Sequence, residues 1–445
     1  VQERFVSGMK IGKLGLEKTL ENHLIGMNAI QRYEVNAYGK RINQLEHQKG
    51  KQGLRVRLTV DTEVQKACGK LLNNRAGSIS VMDIYTGDII AMYSSPSYDP
   101  NKFLFGISND DWELIRNNPL KPLVNKTLSG LYSPGSTIKP IVALSALENK
   151  IVSPSFKVKC TGKMELYGQT FHCWKEKGHG FVSLKNAMKQ SCDTYFYEVA
   201  RLLGVDRLNV TAEKFGLGKK VLGDYFDFEK SGLFPNTKWK KNNLGKGWVL
   251  GETLRTGIGQ GYTQTTPIQL CLMTAQIANG GYSIKPRIII DNNPMSLEET
   301  KRKLKEETLH AQEKKLFNDP KNIKIVQEAM FSSTNELYGT SYKSRIDDPK
   351  YQFAGKTGTA QVKRISMRER ELDLKIEQIP YKDRDHALYV AYGPYIDPRY
   401  ALSIIVEHGG SGSRTAAPIA KELFKLIIDR NDLRNKQKNF EELKI

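Results

Sequence analysis

Residues 129–150 read SGLYSPGSTIKPIVALSALENK, a Gly/Pro-rich turn that passes into an apolar helix. Pro134 and Gly135 predict a sharp turn, which places Ser136 close to the amino terminus of that helix. There the free backbone N–H groups and the helix dipole stabilise a developing negative charge by about 0.3–1 kcal/mol. Lys139 follows three residues later, and this helical spacing brings its ammonium beside the Ser136 hydroxyl. A Ser-x-x-Lys tetrad alone is a weak signal, because it occurs by chance in most long proteins.

A second lysine motif lies in the segment YQFAGKTGTAQV (351–362), whose alternation and Gly/Thr content predict a β-strand. In a strand, Lys356 and Gly358 point to one face while Thr357 and Thr359 point to the other. We expect Gly358 to leave room for a ligand backbone beside the strand edge. A peptide-like substrate could then pair with this strand as an additional strand.

The third motif is Ser191-Cys192-Asp193, which falls at a loop-to-helix boundary or within a helix predicted over residues 183–204. A Ser-x-Asp triplet carries almost no information by itself. The triplet indicates a catalytic site only in combination with the two lysine motifs. One of these motifs precedes it in the chain, and the other follows it.

The order of the predicted elements indicates an α+β fold. Residues 76–101 predict a hairpin, and HALYVAYGPYI (386–396) and RYALSIIVEHGG (399–410) predict two further strands. Helices are predicted between these strands, and an amphipathic helix over 413–430 follows them. Strands gathered at both ends of a helical region are typical of α+β proteins rather than of alternating βαβ units.

The first part of the chain differs in character from the rest. Residues 1–55 are polar and basic; GLEKTLENHL (15–24) predicts a short helix, and YEVNAYGKRINQL (33–45) alternates like an edge strand. The segment LEHQKGKQGLR (45–55) resembles a linker. We therefore predict an N-terminal domain over 1–55 and a main domain over 56–445.

The composition allows a large folded protein and excludes several classes. The 445 residues are 39% apolar and 26% charged, which permits a sizeable core and excludes a disordered polymer. No run approaches the ~20 apolar residues needed to cross a bilayer. The net charge of +20 favours an anionic partner such as a membrane surface or an acidic polymer. No helix-turn-helix, RNA-recognition or zinc-finger spacing accompanies this charge, so we predict no nucleic-acid partner.

A possible metal site surrounds the Ser191–Asp193 motif. Cys160, Cys173, His179 and Cys192 are separated by 12, 5 and 12 residues. Three thiolates and one imidazole suit a closed tetrahedral Zn²⁺ site, which would brace the motif that contains Cys192. The alternatives are a Cys160–Cys173 disulfide or free buried thiols, although the odd count of five cysteines argues against a complete disulfide framework.

The three motifs together, in this order, are the signature of the penicillin-recognising acyl transferases. Each motif also stands in a longer family-like context, and three further stretches match. The motif contexts are YSPGSTIKP (132–140), SCDTYFYEVA (191–200) and GKTGTAQV (355–362). The further stretches are MDIYTGDIIAMYSSPSYDPN (82–101), SGLFP (231–235) and GIGQGYTQTTPIQL (257–270). Over about residues 12–430 the sequence resembles the class B penicillin-binding proteins of bacterial cell elongation, the penicillin-binding protein 2 family.

The resemblance implies a penicillin-binding transpeptidase fold, with a central antiparallel sheet covered by helices on both faces. It also implies that 1–55 is the remnant of a membrane-proximal pedestal, or dimerisation-type domain. The chain starts at Val1 rather than Met, and we expect a membrane anchor and more of the pedestal to precede it.

The resemblance and the residue chemistry together assign catalytic roles. Ser136 is the expected nucleophile, and Lys139 its base, which must be neutral to act. Burial and the like charge of Lys356 would lower the pKa of Lys139. Ser191 would relay a proton to the leaving amine, and the N–H groups of Ser136 and Thr359 would form an oxyanion hole.

Substrate binding is expected at the strand motif. Lys356, Thr357 and Thr359 would hold the terminal carboxylate of the donor peptide, with Gly358 at the strand edge. The family's donor is a peptidoglycan stem peptide ending in D-Ala-D-Ala, which β-lactams mimic, and no cofactor is needed for catalysis. A serine β-lactamase or β-lactam sensor, a non-catalytic scaffold and a D,D-carboxypeptidase remain the alternatives.

Asp193 departs from the general family pattern near the second serine, Ser191. The general family pattern has Asn at the position of Asp193, although Asp is usual in the elongation subgroup. A carboxylate there favours protonated lysines nearby, and the alternative role of Asp193 is to cap or stabilise its helix. Trp174 and Tyr195 are interpreted as packing residues.

The resemblance also implies a zinc site near this motif. Cys173, His179 and Cys192 fall at matching positions, Cys160 is less secure and His172 is an alternative ligand.

The resemblance further implies where the protein works and with what. We expect an inner-membrane anchor and a catalytic domain in the periplasm. The expected partners are a RodA-type SEDS glycosyltransferase and an MreC-type scaffold, with residues 1–55 as the docking surface. The charge of +20 would suit a position beside anionic lipid headgroups or anionic wall polymer.

Overall fold

The computed structural model describes residues 9–290, 315–363 and 376–442. Of the predicted N-terminal domain, it therefore describes 9–55. Eleven strands occur in these ranges: β1 Ile30–Val35, β2 Arg41–Gln48, β3 Gly77–Asp83, β4 Ile89–Ser95, β5 Lys157–Cys160, β6 Lys163–Leu166, β7 Gln169–His172, β8 Gly180–Ser183, β9 Ala354–Ala360, β10 His386–Gly393 and β11 Tyr400–Val406.

Fourteen α-helices accompany the strands in the same ranges. They are α1 Gly15–Thr19, α2 Glu21–Leu24, α3 Thr62–Leu72, α4 Asn109–Arg116, α5 Lys126–Ser129, α6 Lys139–Glu148, α7 Leu184–Lys189, α8 Asp193–Leu203, α9 Val205–Lys214, α10 Thr237–Leu244, α11 Leu250–Gly257, α12 Pro267–Ala278, α13 Pro320–Asn335 and α14 Ala417–Glu442. None of the helices in the described part of the chain combines the length and apolar composition that crossing a bilayer requires.

The N-terminal region differs from its prediction at three points. The helix predicted over 15–24 is divided into α1 and α2, and β2 extends to Gln48, within the linker predicted over 45–55. The predicted edge strand over 33–45 is instead an antiparallel hairpin of β1 and β2. The carboxamide oxygen of Asn36 accepts hydrogen bonds from the N–H groups of Tyr38 and Lys40, at 3.0 and 2.9 Å, which closes the turn. An Asx turn of this kind interrupts a strand without breaking the alternation of its side chains, so the alternation alone did not reveal it.

A five-stranded antiparallel sheet with the order β4-β3-β11-β10-β9 forms the centre of the molecule. Consecutive strands β3 and β4 form the predicted hairpin, and β10 and β11 form a second one. Strand β9 lies at the edge of the sheet and pairs only with β10, with Thr357 opposite Tyr389. The α+β class with a central antiparallel sheet is therefore confirmed.

Helices cover both faces of this sheet, because its strands carry apolar side chains on both sides. On one face, α12 packs against β11 and β3, and the core continues through α6 and α8. On the other face, α3 and α14 pack against the sheet around Phe353, Phe424 and Leu402. Burial on both faces explains why β11 reads as an apolar run interrupted only by Ser403.

The helix predicted over 183–204 is divided in two. Helix α7 ends at Lys189, and α8 begins at Asp193. Between them Ser191 adopts a left-handed backbone conformation with φ of 55°. A non-glycine residue in this region is uncommon and is held there only by its surroundings. The break turns the Ser191 side chain out of a helical position and into the site described next.

Candidate active site

The first site element is a turn of 3₁₀-helix over Gly135–Ile138 that leads into α6. Gly135 has φ of 54° and donates its N–H to the carbonyl of Gly259 at 2.9 Å. A side chain at Gly135 would place its Cβ 2.6 Å from the carbonyl oxygen of Thr359, so only glycine fits. Ser136 is thereby held, partly buried, against strand β9.

Lys139 is the first residue of α6, and its side chain is completely buried. Its ammonium donates to Asp193 Oδ1 at 2.7 Å, to the Ser191 carbonyl at 2.9 Å and to Ser191 Oγ at 3.2 Å. Lys139 and Asp193 thus form an ion pair at the back of the site. Sequence spacing predicted contact with Ser136, whereas these hydrogen bonds of Lys139 Nζ go to Ser191 and Asp193.

Lys356 approaches Ser191 from the opposite side. Its Nζ donates to Ser191 Oγ at 2.9 Å and to the Thr357 carbonyl at 3.0 Å. The Lys356 side chain is fully buried, and burial lowers its pKa well below the usual value, assisted by repulsion from Lys139 and opposed by Asp193. Ser191 Oγ therefore lies between two amino groups, one ion-paired and the other with a depressed pKa.

Asp193 connects this lysine pair to the neighbouring loop. Its Oδ1 accepts from Lys139, and its Oδ2 accepts from the backbone N–H of Trp174 at 3.0 Å. Asp193 does not cap α8, since Cys192 occupies the N-cap position, but it lies in the first turn of this helix, where a carboxylate interacts favourably with the helix dipole. The carboxylate instead orients Lys139 and ties the catalytic region to Trp174.

Strand β9 offers its free edge to the same cleft. The Thr359 carbonyl points away from β10, because it accepts from the Gln260 side chain at 3.2 Å. The N–H and carbonyl of one strand residue point to the same side, so the Thr359 N–H also faces the cleft. Thr357 donates its hydroxyl to Thr340 Oγ1 at 2.8 Å. This edge is therefore available to an extended peptide.

Gly358 has a different role from the one expected. A Cβ at this position would lie 2.7 Å from Thr137 Cγ2 and 3.0 Å from the Pro134 carbonyl oxygen. The side of Gly358 to which a side chain would project is occupied by the turn that carries Ser136, while the residue also lines the cleft. The absent side chain lets the turn that carries Ser136 pack directly on β9.

These elements line one cleft of about 1590 Å³. The cleft contains Ser136, Ser191, Asp193 and the strand residues Thr357, Gly358 and Thr359, while Lys139 and Lys356 lie buried behind it. The structure thus brings together all three predicted motifs.

Several cleft residues were not identified from the sequence. They are Thr340, Arg255, Gln260, Asp385 and Ser411. Only Gln260 lay in a stretch that matched the family, and nothing distinguished the others from ordinary surface residues. Trp174 was interpreted as a packing residue, but its side chain is 59% exposed and lines the cleft; Tyr195 is fully buried, as expected of a packing residue.

A cluster of Cys160, Cys173, His179 and Cys192 lies directly behind Asp193. Their candidate ligand atoms are all within 4.8 Å of one another. A tetrahedral zinc with Zn–S bonds of about 2.3 Å places its ligand atoms about 3.8 Å apart. The four side chains would therefore need to move together only slightly to bind such an ion. His179 Nδ1 lies 3.6 Å from Cys160 Sγ and 3.5 Å from Cys173 Sγ.

The chemistry of the cluster also suits a metal. All five cysteines of the chain are free thiols, so the alternative Cys160–Cys173 disulfide is not present. A hydrogen bond from Cys192 lowers the pKa of Cys173, as expected for a thiolate among donors. His172, the alternative ligand, does not belong to the cluster. The donor set is therefore one that could hold Zn²⁺.

Comparison with known protein families gives two matches along the chain. Residues 77–425 match the penicillin binding protein transpeptidase domain. Residues 2–58 match the penicillin-binding protein dimerisation domain. Together these two models cover most of the chain, including all the residues of the cleft described above.

Individual relatives and solved structures agree with these matches. The peptidoglycan D,D-transpeptidase MrdA of Salmonella typhimurium is 35% identical over 431 residues, which cover 96% of this chain and 67% of the relative. A crystal structure of Pseudomonas aeruginosa PBP2 in complex with WCK 5153 superposes with a TM-score of 0.76 at 36% identity, covering 94% of this chain and 83% of that one. A complex between PBP2 and MreC from Helicobacter pylori gives a TM-score of 0.80 at 31% identity, with coverage of 94% and 72%.

Proposed function

The chain belongs to the penicillin-binding protein family of peptidoglycan D,D-transpeptidases, and from this membership we propose that Ser136 forms the acyl-enzyme of the cross-linking reaction during cell elongation. The proposal rests on one observation above all. Ser191 Oγ accepts hydrogen bonds from both Lys139 and Lys356 beside the turn that carries Ser136.

The proton relay begins with the depressed pKa of Lys356. Because the Lys356 ammonium gives up a proton readily, one of the two lysine side chains is a neutral amine. Transfer through the Ser191 hydroxyl moves the neutral amine from Lys356 to Lys139. Neutral Lys139 then takes the proton of Ser136 as its oxygen attacks the carbonyl carbon of the penultimate D-Ala.

The tetrahedral intermediate carries a negative charge on the former carbonyl oxygen. The N–H of Ser136 belongs to the first turn of a helix, where backbone donors have no helical partner. The N–H of Thr359 faces the same space from β9. Two such donors form an oxyanion hole, in which each contributes about 3–4 kcal/mol to the transition state.

Collapse of the intermediate breaks the C–N bond to the last D-Ala. Ser191 donates a proton to this leaving nitrogen and is reprotonated from the lysine pair. An amine on a neighbouring stem then attacks the Ser136 ester and loses its proton to Lys139. The bond between the acyl carbon and Ser136 Oγ breaks as Lys139 returns this proton to the oxygen, which forms the cross-link and restores the Ser136 hydroxyl. A β-lactam would acylate Ser136 in the same way, which makes the protein an antibiotic target.

Lys356, Thr357 and Thr359 are proposed to bind the terminal carboxylate of the donor. The two threonines line the cleft on the free edge of β9, and Lys356 supplies the positive charge behind them. Gly358 contributes by letting the nucleophile turn approach the strand. A charge-assisted hydrogen bond to the carboxylate fixes which end of the peptide faces Ser136.

We assign Zn²⁺ to Cys160, Cys173, His179 and Cys192. Their spacing and donor chemistry support this assignment. The ion would supply structural bracing rather than catalytic chemistry, since four protein ligands leave no open position. Cys192 directly precedes Asp193, so the bracing would extend to the carboxylate that orients Lys139.

The domain division and the cellular setting follow from family membership. We propose a pedestal domain over 1–55 and a transpeptidase domain over 56–445, with the latter in the periplasm and the protein anchored to the inner membrane. Residues 1–55 would dock an MreC-type scaffold and a RodA-type SEDS glycosyltransferase. The Helicobacter pylori complex of PBP2 with MreC supports the first of these partners.

Mapping the adduct of a fluorescent penicillin tests the proposed nucleophile. We expect mass spectrometry of the digested protein to place the adduct on the peptide that contains Ser136. Ser136→Ala should abolish labelling, whereas Ser133→Ala, at a neighbouring serine of the same cleft, should retain it. An adduct on another residue would overturn the assignment, and rapid turnover of nitrocefin would favour a β-lactamase.

A further inference from the structure

The donor peptide carries an amino group of its own. Cross-linking joins two stems of the same polymer, and the acceptor stem attacks through an amine. The donor stem, drawn from the same material, therefore contains the same amine-bearing residue on the amino-terminal side of its D-Ala-D-Ala end. An ammonium group thus enters the cleft with every donor, and the cleft must accommodate its charge.

The proposed chemistry fixes the direction of the donor along β9. Its terminal carboxylate lies at Thr357, and its reacting carbonyl lies two strand positions further on, at Thr359. An extended peptide rises about 3.3 Å per residue, so the rest of the donor continues past Ala360. The amine-bearing part of the donor is therefore directed toward Gln361 and Val362, both of which line the cleft.

Asp385 lies at this end of the cleft. It directly precedes β10, whose first residue His386 pairs with Ala360 of β9. One carboxylate oxygen of Asp385, Oδ1, accepts the backbone N–H of Val362 at 3.2 Å. The Asp385 side chain is only partly buried and lines the cleft together with Thr359 and Val362.

The part of the chain that the structure describes provides no cationic partner for Asp385. Among the described residues no cation lies within ion-pairing distance of its carboxylate, and the nearby Lys363 pairs with Asp383 at 3.8 Å. Burial raises the pKa of Asp385, which is the direction expected for a carboxylate without a cationic partner. The second carboxylate oxygen of Asp385 is thus free to accept from a ligand.

We propose that Asp385 binds the side-chain ammonium of the donor stem and so selects donors that still carry a free amine. This assignment rests on the proposed function, because the nucleophile and the oxyanion hole set the direction of the peptide. Asp385 is a specificity residue for the donor and takes no part in proton transfer at Ser136.

The test compares two penicillins that differ in one group. Both carry a flexible acyl side chain, which ends in a primary amine in the first and in the corresponding acetamide in the second. Intact-protein mass spectrometry gives the second-order rate constant for acylation by each. We expect the wild-type protein to react about 10-fold faster with the amine, the effect of one charge-assisted contact.

Asp385→Asn should reduce this ratio to about 1, because the amide keeps the acceptor for Val362 but loses the charge. Asp383→Asn removes a carboxylate two residues away and should leave the ratio at about 10. A wild-type ratio near 1, or an unchanged ratio in Asp385→Asn, would overturn the role of Asp385 and leave the proposed function intact. Failure of both penicillins to acylate Ser136 would overturn the proposed function itself.

Discussion

Lys356 Nζ lies 2.9 Å from Ser191 Oγ, although 165 positions separate the two residues in the chain. The same hydroxyl accepts from Lys139 at 3.2 Å. A hydroxyl can accept two hydrogen bonds, but two ammonium groups around one oxygen repel each other in a buried site. The arrangement therefore favours one protonated and one neutral amine, which is the state that the proposed reaction requires.

The rate of acylation should consequently depend on pH in a defined direction. The pKa of Lys356 is lowered by burial, then by Lys139, while Asp193 raises it. As the pH falls through this lowered value, Lys356 becomes protonated, the neutral amine is lost and acylation slows. Asp193→Asn removes the attraction for the proton, so the midpoint should move to lower pH.

Rates of acylation by a fluorescent penicillin between pH 4 and pH 9 provide the measurement. Asp111→Asn is a suitable control, because Asp111 forms an exposed ion pair with Lys102 and does not line the cleft. The acylation rate of Asp111→Asn should depend on pH in the same way as that of the wild-type protein. A midpoint that stays in place or rises in Asp193→Asn would contradict the electrostatic account of Lys356.

The Cys/His cluster leads to a prediction on metal content. Protein purified without chelators should contain about one equivalent of zinc, and Cys173→Ser should contain less than about half an equivalent. The same variant should melt at a lower temperature, since the metal holds the loop before α8. Cys68→Ala, which alters a buried thiol in α3, should keep its zinc.

Elemental analysis together with thiol titration distinguishes the outcomes. Wild-type protein that contains little zinc and whose thiols all titrate would show that the cluster is held by packing alone. Retention of full zinc in Cys173→Ser would place the metal elsewhere.

Gly358→Ala tests the contact between β9 and the nucleophile turn. The new methyl group would overlap Thr137 Cγ2 and the Pro134 carbonyl, so the turn must move away from the strand. We expect destabilisation by about 1–3 kcal/mol and a loss of acylation greater than about 10-fold. Gly247→Ala, at a glycine with open space around it, should change neither quantity. Full acylation of Gly358→Ala would show that the strand edge tolerates a side chain.

The sequence could predict the main features of this protein because each was encoded locally. The hairpin over 76–101, the strands over 386–396 and 399–410 and the turn before Ser136 all follow from short-range patterns. Three motifs then identified the family, and with it the arrangement of distant segments around one cleft. No periodicity alone could have placed Lys356 beside Ser191.

The features that were missed depend on tertiary contacts. The division of the 183–204 helix rests on a left-handed Ser191, which the lysine pair and the surrounding loops hold in place. Asp385 and Arg255 reach the cleft only through the packing of the elements that carry them. Lys139 was expected to contact Ser136, but the hydrogen bonds of its ammonium reach residues more than 50 positions away.

The left-handed backbone of Ser191 leads to a final prediction. It distinguishes the energetic cost of this conformation from the role of the Ser191 hydroxyl in acylation. With φ of 55°, any residue with a Cβ costs about 1 kcal/mol more than glycine at this position. Ser191→Gly should therefore be more stable than Ser191→Ala by about 1 kcal/mol, as measured by chemical denaturation. Both variants lack the hydroxyl that links Lys139 to Lys356, so both should acylate at least about 100-fold more slowly than wild type.

Lys150 provides the matched control for this comparison. It is exposed, lies after the end of α6 and has φ of 54°, nearly the same as Ser191. Lys150→Gly and Lys150→Ala should show a similar difference in the free energy of unfolding, with acylation unchanged in both. If Ser191→Gly acylated as fast as wild type, the hydroxyl would not be the relay. If Ser191→Ala were as stable as Ser191→Gly, the left-handed backbone would not be a source of strain, and the break between α7 and α8 would need another cause.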